Sequence, residues 1–142
     1  MEEKEKLDLI IRRIIGAAIE VHKAVGPGLL ESAYQACLAF ELRERNLKVD
    51  EQVPLPLLYK EVKLDCGYRI DLIVEDTVIA EIKAVEHLAP IHEAQLLSYL
   101  RLAHKRVGLL INFHSRVLKE GLKRIVNEFP DSASSAFSAV SS

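Results

Sequence analysis

At 142 residues the chain has room for one domain with a real hydrophobic core. Its 49% hydrophobic and 28% charged residues are the balance of a soluble globular protein. A net charge of −2 excludes a strongly basic chain held to nucleic acid by bulk charge alone. The start Met1-Glu2-Glu3-Lys4-Glu5-Lys6 does not read as a signal peptide, and none is expected. The apolar stretch from Leu7 to Val25 is broken by Arg12, Arg13, Glu20, His22 and Lys23, so it reads as a core helix and not a membrane span.

The first helix is expected from about Leu7 to Ala24, with Leu7, Ile10, Ile11, Ile14, Ala18 and Val21 near helical spacing. Gly26-Pro27-Gly28 stops it. A second helix follows from about Leu29 to Arg45, with Leu30, Ala33, Cys37 and Phe40 as its buried stripe. Lys48 to Tyr59 alternates, although Pro54 and Pro56 imply an edge strand or an irregular start. Lys60-Glu61 reads as a turn, and Val62 to Glu75 as one longer strand. Cys37 and Cys66 lack a CxxC spacing and are expected as buried free thiols in a reducing cytoplasm.

The most informative segment is the hairpin that follows. Tyr68 to Val74 and Val78 to Lys83 both alternate around the polar break Glu75-Asp76-Thr77. Centring the turn on Asp76 pairs Val74 with Val78, Leu72 with Ala80 and Ile70 with Ile82 on one apolar face. The other face then pairs Ile73 with Ile79, Asp71 with Glu81 and Arg69 with Lys83. Carboxylates directly opposite one another have Cβ atoms roughly 4.5–5.5 Å apart and destabilise the pair. A one-residue slip would separate them but break up the apolar face. Something cationic is therefore expected between Asp71 and Glu81: a divalent ion, or the neighbouring Lys83 and Arg69. Hard oxygen ligands in this number suit Mg2+ or Mn2+. The competing reading is a salt-bridged surface, which would contribute only about 0–1 kcal/mol per pair and leaves the facing acids unexplained.

Beyond a connection at His87 to Pro90, a third helix is expected from Ile91 to His104, then a short apolar strand from Val107 to Phe113. A final helix from about Val117 to Phe129 precedes Pro130 and a Ser/Ala-rich tail expected to be disordered. This gives a folded domain over 1–129 and a tail over 130–142. The order α-α-β-β-β-α-β-α points to an α/β (α+β) fold: a mixed central sheet, with a three-stranded antiparallel meander and a crossover strand, flanked by helices. Arg101, Lys105, Arg106, Arg116, Lys119, Lys123 and Arg124 face Glu120 alone between residues 101 and 124. That cluster reads equally as a phosphate-facing patch or as cations complementing a helix C-terminus.

With these elements placed, Gly28-Leu29-Leu30-Glu31-Ser32-Ala33-Tyr34 resembles the motif of the GxxExxY family of small prokaryotic proteins. Asp71 followed by Glu81-Ile82-Lys83 resembles the D…(D/E)xK signature of the PD-(D/E)XK nuclease superfamily, with Ile70 where a Pro often precedes the Asp. Gln95 and Tyr99 resemble the QxxxY element of its exonuclease branch. The likeness runs from about Leu7 to Val126 and implies a restriction-endonuclease-like core.

The resemblance implies a Mg2+-dependent nuclease, Mn2+ being the alternative ion, with nucleic acid as partner. Asp71 and Glu81 would hold the metal and Glu31 would complete the acidic cluster. Lys83 would orient the attacking water. Gln95 would position water or phosphate, with Tyr99 supporting it. Arg101, Lys105, Arg106, Lys119, Lys123 and Arg124 would grip the backbone. Read on its residue type alone, Glu31 is a carboxylate favoured by a helix N-terminus, Tyr34 a core residue, and His92 a surface or capping side chain. Two other function classes stay open: a non-catalytic nucleic-acid-binding module on a nuclease scaffold, and a small interaction or assembly protein whose acidic cluster binds structural Mg2+ and whose apolar first helix could serve a dimer interface.

Overall fold

A computed structural model of the chain describes residues 2–128. Three helices, α1 (Glu3–Val25), α2 (Glu31–Glu44) and α3 (Pro90–Ala103), enclose a five-stranded mixed sheet. Its strands are β1 (Val49–Pro54), β4 (Arg69–Val74), β5 (Val78–Lys83), β6 (Val107–Asn112) and β7 (Leu122–Val126), lying side by side in that order. β2 (Leu57–Tyr59) and β3 (Val62–Leu64) form a separate two-stranded sheet.

Hydrophobic periodicity fixes the layers. Leu7, Ile11, Ile14, Ala18 and Val21 of α1 bury with Tyr34, Leu38 and Leu42 of α2 against Leu72, Val74, Val78, Ala80, Ile82, Leu109 and Ile111. The apolar face of α1, expected as a core helix and in one alternative as a dimer surface, packs on the sheet of its own chain. Leu96, Tyr99 and Leu100 of α3 pack on the opposite side against Ile70, Ile73, Ile79 and Leu110. β6 is buried along its whole length and runs parallel to β5, as an all-apolar crossover strand should. Among the described residues no helix is long and apolar enough to cross a membrane.

Four expectations are corrected. The buried stripe of α2 is Tyr34, Leu38, Ala39 and Leu42, whereas Leu30 and Phe40 are exposed and Ala33 and Cys37 only half-buried, because the helix turns its neighbouring face to the core. The meander exists, but as β1–β4–β5, because the long strand expected over Val62 to Glu75 breaks between Leu64 and Arg69, where Gly67 takes a left-handed φ of 79°. The break frees β3 to fold back on β2 through a turn whose two residues, Lys60 and Glu61, also have left-handed φ, as tight hairpins require. The final helix is absent. Leu118–Gly121 makes one 3₁₀ turn, and Leu122–Val126 becomes β7, antiparallel to β6. Val117, Leu122 and Ile125 sit near helical spacing, but the outer edge of buried β6 needs backbone partners, and β7 supplies them. Finally, Cys37 packs at the margin of the core, whereas Cys66 is exposed rather than buried. The expected tail from Pro130 lies outside the described residues.

Candidate functional site

The hairpin turn forms where the sequence puts it. Glu75 and Asp76 have left-handed φ, the Thr77 N–H donates to the Val74 carbonyl, and Val74, Ile73 and Leu72 pair with Val78, Ile79 and Ala80. The ladder then stops. In place of the expected Asp71–Glu81 and Ile70–Ile82 pairs, the Asp71 N–H donates to Glu81 Oε2 at 2.7 Å, and the Ile82 N–H donates to Asp71 Oδ2 at 2.8 Å. Each carboxylate accepts a backbone N–H of the facing strand. The strands splay there, and Ile70 packs on the α3 side beside Ile73 instead of joining Leu72 and Val74. Two residues three apart on one face mean that β4 is kinked at the acid.

The splay leaves two acids in one poorly solvated place. Glu81 is only 5% exposed. Burial first, then the Asp71 charge, pushes its carboxyl from 4.5 up to about 8, reinforced by Glu31 and opposed by the Asp71 N–H and Lys83. Burial likewise raises Asp71, against the lowering effect of the Ile82 N–H, the Gln52 amide and Lys83. Lys83 is the cation that acts on both acids. Arg69 turns away, donating to the Tyr68 carbonyl and pairing with Asp65 at 3.9 Å. The two oxygen-donor side chains and their destabilised negative charge fit a hard divalent cation that keeps part of its water shell. Among the described residues no three His, Cys, Asp or Glu side chains are assembled to hold an ion together.

Glu31 stands close enough to raise both acids electrostatically, but its Oε2 accepts the Ala84 N–H at 2.9 Å. It thereby ties the start of α2 to the end of β5. Tyr34 explains the spacing around it. Its hydroxyl donates to the Gly26 carbonyl and accepts the Leu29 N–H at 3.0 Å, closing the turn in which Gly28 adopts a φ of 105°. Its ring, fully buried, stacks on Phe113 with centroids 4.6 Å apart. Tyr34 is thus a core residue that fixes where Glu31 emerges.

On α3, the Gln95 amide donates to the Tyr99 hydroxyl at 3.2 Å. Tyr99 is raised by burial and by the Glu81 and Asp71 charges, which puts this helix face beside the acids. His92 accepts the Ala89 N–H through Nδ1 and is a helix-capping side chain. The basic residues do not form one patch. Lys105 donates to the Asp76 carbonyl at the turn, the hairpin end remote from Lys83, and Arg106 pairs with Glu3. Arg124 binds Asp8 at 2.7 Å. Arg101 and Lys119 are exposed. Lys123 shares a sheet row with Glu81 through Leu110, so the two side chains point to one face, roughly 10 Å apart across two strand spacings.

Two polar residues went unnoticed in the sequence. Asn112, 2% exposed, accepts the Val85 and His114 N–H groups and donates to the Val85 carbonyl, pinning the segment after Lys83. A lone Asn closing an apolar strand was the available signal. Gln52 donates to Asp71 Oδ1 at 3.1 Å, and no local pattern marks it.

Compared with known proteins, residues 8–125 match a family model described as the PD-(D/E)XK nuclease superfamily. No curated protein and no solved structure matches.

Proposed function

The chain belongs to the PD-(D/E)XK nuclease superfamily, and from that premise we propose that it hydrolyses phosphodiester bonds of nucleic acid with the help of Mg2+ or Mn2+. The observation that carries the proposal is the Asp71–Glu81 pair. Each acid spends an oxygen on the facing strand's N–H while both remain electrostatically destabilised, with Lys83 beside them. Asp71 and Glu81 would hold the cation, and Glu31 adds negative charge next to them. The chemistry supplied by a bound divalent ion would be a lowered pKa for a water and polarisation of a phosphoryl oxygen.

The chain's own groups do the rest. Lys83 directs its ammonium toward the attacking water and offsets the charge that builds on the phosphorus centre. Gln95, held by Tyr99, turns its amide toward water or phosphate. Lys123, on the same sheet face as Glu81, supplies a backbone contact that carries no sequence information. Lys119, Arg101, Lys105, Arg106 and Arg124 are secondary candidates for such contacts, since three of them are already engaged within the chain. We further place the chain in the GxxExxY group, a reading supported by the way Tyr34, Gly28 and Glu31 work as one unit at the start of α2.

The test is a nuclease assay on single- and double-stranded DNA and RNA with Mg2+ or Mn2+. Wild type should cleave at least one of them, while Asp71→Ala and Lys83→Ala should lose at least 100-fold, on the order of a removed electrostatic stabiliser. Unchanged activity in both variants rejects the roles. Nucleic-acid binding without cleavage, weakened by charge reversal at Lys119 and Lys123 and indifferent to metal, would favour the non-catalytic module instead.

A further inference from the structure

Of the described non-glycine residues with left-handed φ, Gln52 alone lies inside a strand, at φ 49°. β1 and β4 are in register on both sides of it, Glu51 with Leu72 and Val53 with Ile70, so Gln52 stands opposite Asp71. A side-chain-bearing residue in that conformation is strained, and the strain persists where the surroundings over-determine it. Here the surroundings are visible. The Gln52 Nε2 lies 2.6 Å from Gln35 Oε1 and 3.1 Å from Asp71 Oδ1. Gln35 in turn donates to Glu51 Oε1, whose second oxygen receives Arg43 Nη1 at 2.9 Å. Two acceptors on one amide nitrogen settle which way the amide points.

We propose that Gln52 is a positioning residue for the acid pair. The left-handed backbone at Gln52 turns its amide onto Asp71 Oδ1, while the Ile82 N–H holds Oδ2, so the carboxylate is fixed at both oxygens. A neutral amide fixes the carboxylate without cancelling its charge, as Lys or Arg at this position would. That charge stays available to a cation. The backbone strain at Gln52 is retained because a regular strand would not present the amide to Asp71. This inference rests on Asp71 being a cation ligand, as proposed above.

Two substitutions separate positioning from folding. Gln52→Gly removes the amide and also relieves the left-handed φ, since glycine adopts it freely. Gln52→Ala removes the amide and keeps the strain. Mn2+ binding to the full-length chain is measured by calorimetry, and apo stability by urea unfolding in chelator. Gln52→Gly should unfold at the same or higher urea concentration than wild type, yet bind Mn2+ about 10-fold more weakly, as loss of a ligand-orienting hydrogen bond does. Gln52→Ala should show the same weakening with lower apo stability.

The proposal is overturned if wild type binds Mn2+ and Gln52→Gly binds within about 2-fold of it, well short of the usual cost of losing a ligand's hydrogen-bond partner. It is equally overturned if affinity falls only in step with apo stability. Absence of Mn2+ binding in folded wild type is a different result: it removes the metal reading of Asp71 and Glu81, and the role of Gln52 with it.

Discussion

Replacing Glu81 by Gln should stabilise the metal-free protein, and increasingly so as pH rises. The folded state holds the Glu81 proton up to about pH 8, whereas an unfolded chain releases it near 4.5. Between those values the native state carries the extra proton, so unfolding becomes easier with rising pH, by up to ~1.4 kcal/mol for each pH unit. The favourable contribution is complete below pH 4.5 and gone by about pH 8. Integrated over the window, the wild type loses about 5 kcal/mol from this group, a large share of the stability of a small domain. Gln keeps an oxygen to accept the Asp71 N–H but has no charge to desolvate. Urea unfolding of both proteins in chelator at pH 5, 6, 7 and 8 reads the effect. Near pH 5 the two should be similar, and at pH 8 Glu81→Gln should lead by roughly 3–5 kcal/mol. Divalent cation should restore wild type at pH 8 and leave the variant unmoved. Parallel pH dependence of the two proteins would refute the claim that burial and the Asp71 charge hold the proton on Glu81 up to about pH 8.

Tyr34→Phe keeps the stack on Phe113 but abandons the Gly26 carbonyl and the Leu29 N–H. It should cost about 1–3 kcal/mol in urea unfolding. Gly121→Ala would put a Cβ 2.5 Å from the Asn112 carbonyl oxygen and 2.4 Å from Ser115 Oγ, and because the carbonyl belongs to buried β6 it should destabilise by about 1–3 kcal/mol or more, seen as a lowered thermal midpoint. Asn112→Ala strips three hydrogen bonds from the segment after Lys83. Its expected signature is faster amide exchange at Val85 and His114, with the α3 amides unchanged.

The hairpin shows how far local pattern reaches. Alternation around Glu75-Asp76-Thr77 determined the turn and the first three pairs, because a one-residue slip would carry every apolar side chain to the wrong face. The same alternation, continued, paired Asp71 with Glu81 and Ile70 with Ile82, and there it failed. A backbone ladder is the default only until a side chain offers a better acceptor, and two desolvated carboxylates did so. The final segment failed for a related reason. Leu122 to Val126 has spacing compatible with a helix, but the bare edge of β6 lies beyond any window of local sequence. Gln52 carries no local mark at all, since its neighbours on Asp71 and Gln35 come from other elements.

Hydrophobic period and turn chemistry in the sequence determined three helices, the crossover to β6 and the hairpin that brings Asp71 and Glu81 together. The tertiary structure decided where the ladder opens, that Lys83 and not Arg69 accompanies the acids, and how the basic residues are dispersed. Those outcomes depend on the burial of charge and on unpaired backbone groups, energies that exist only once distant segments have closed over one another.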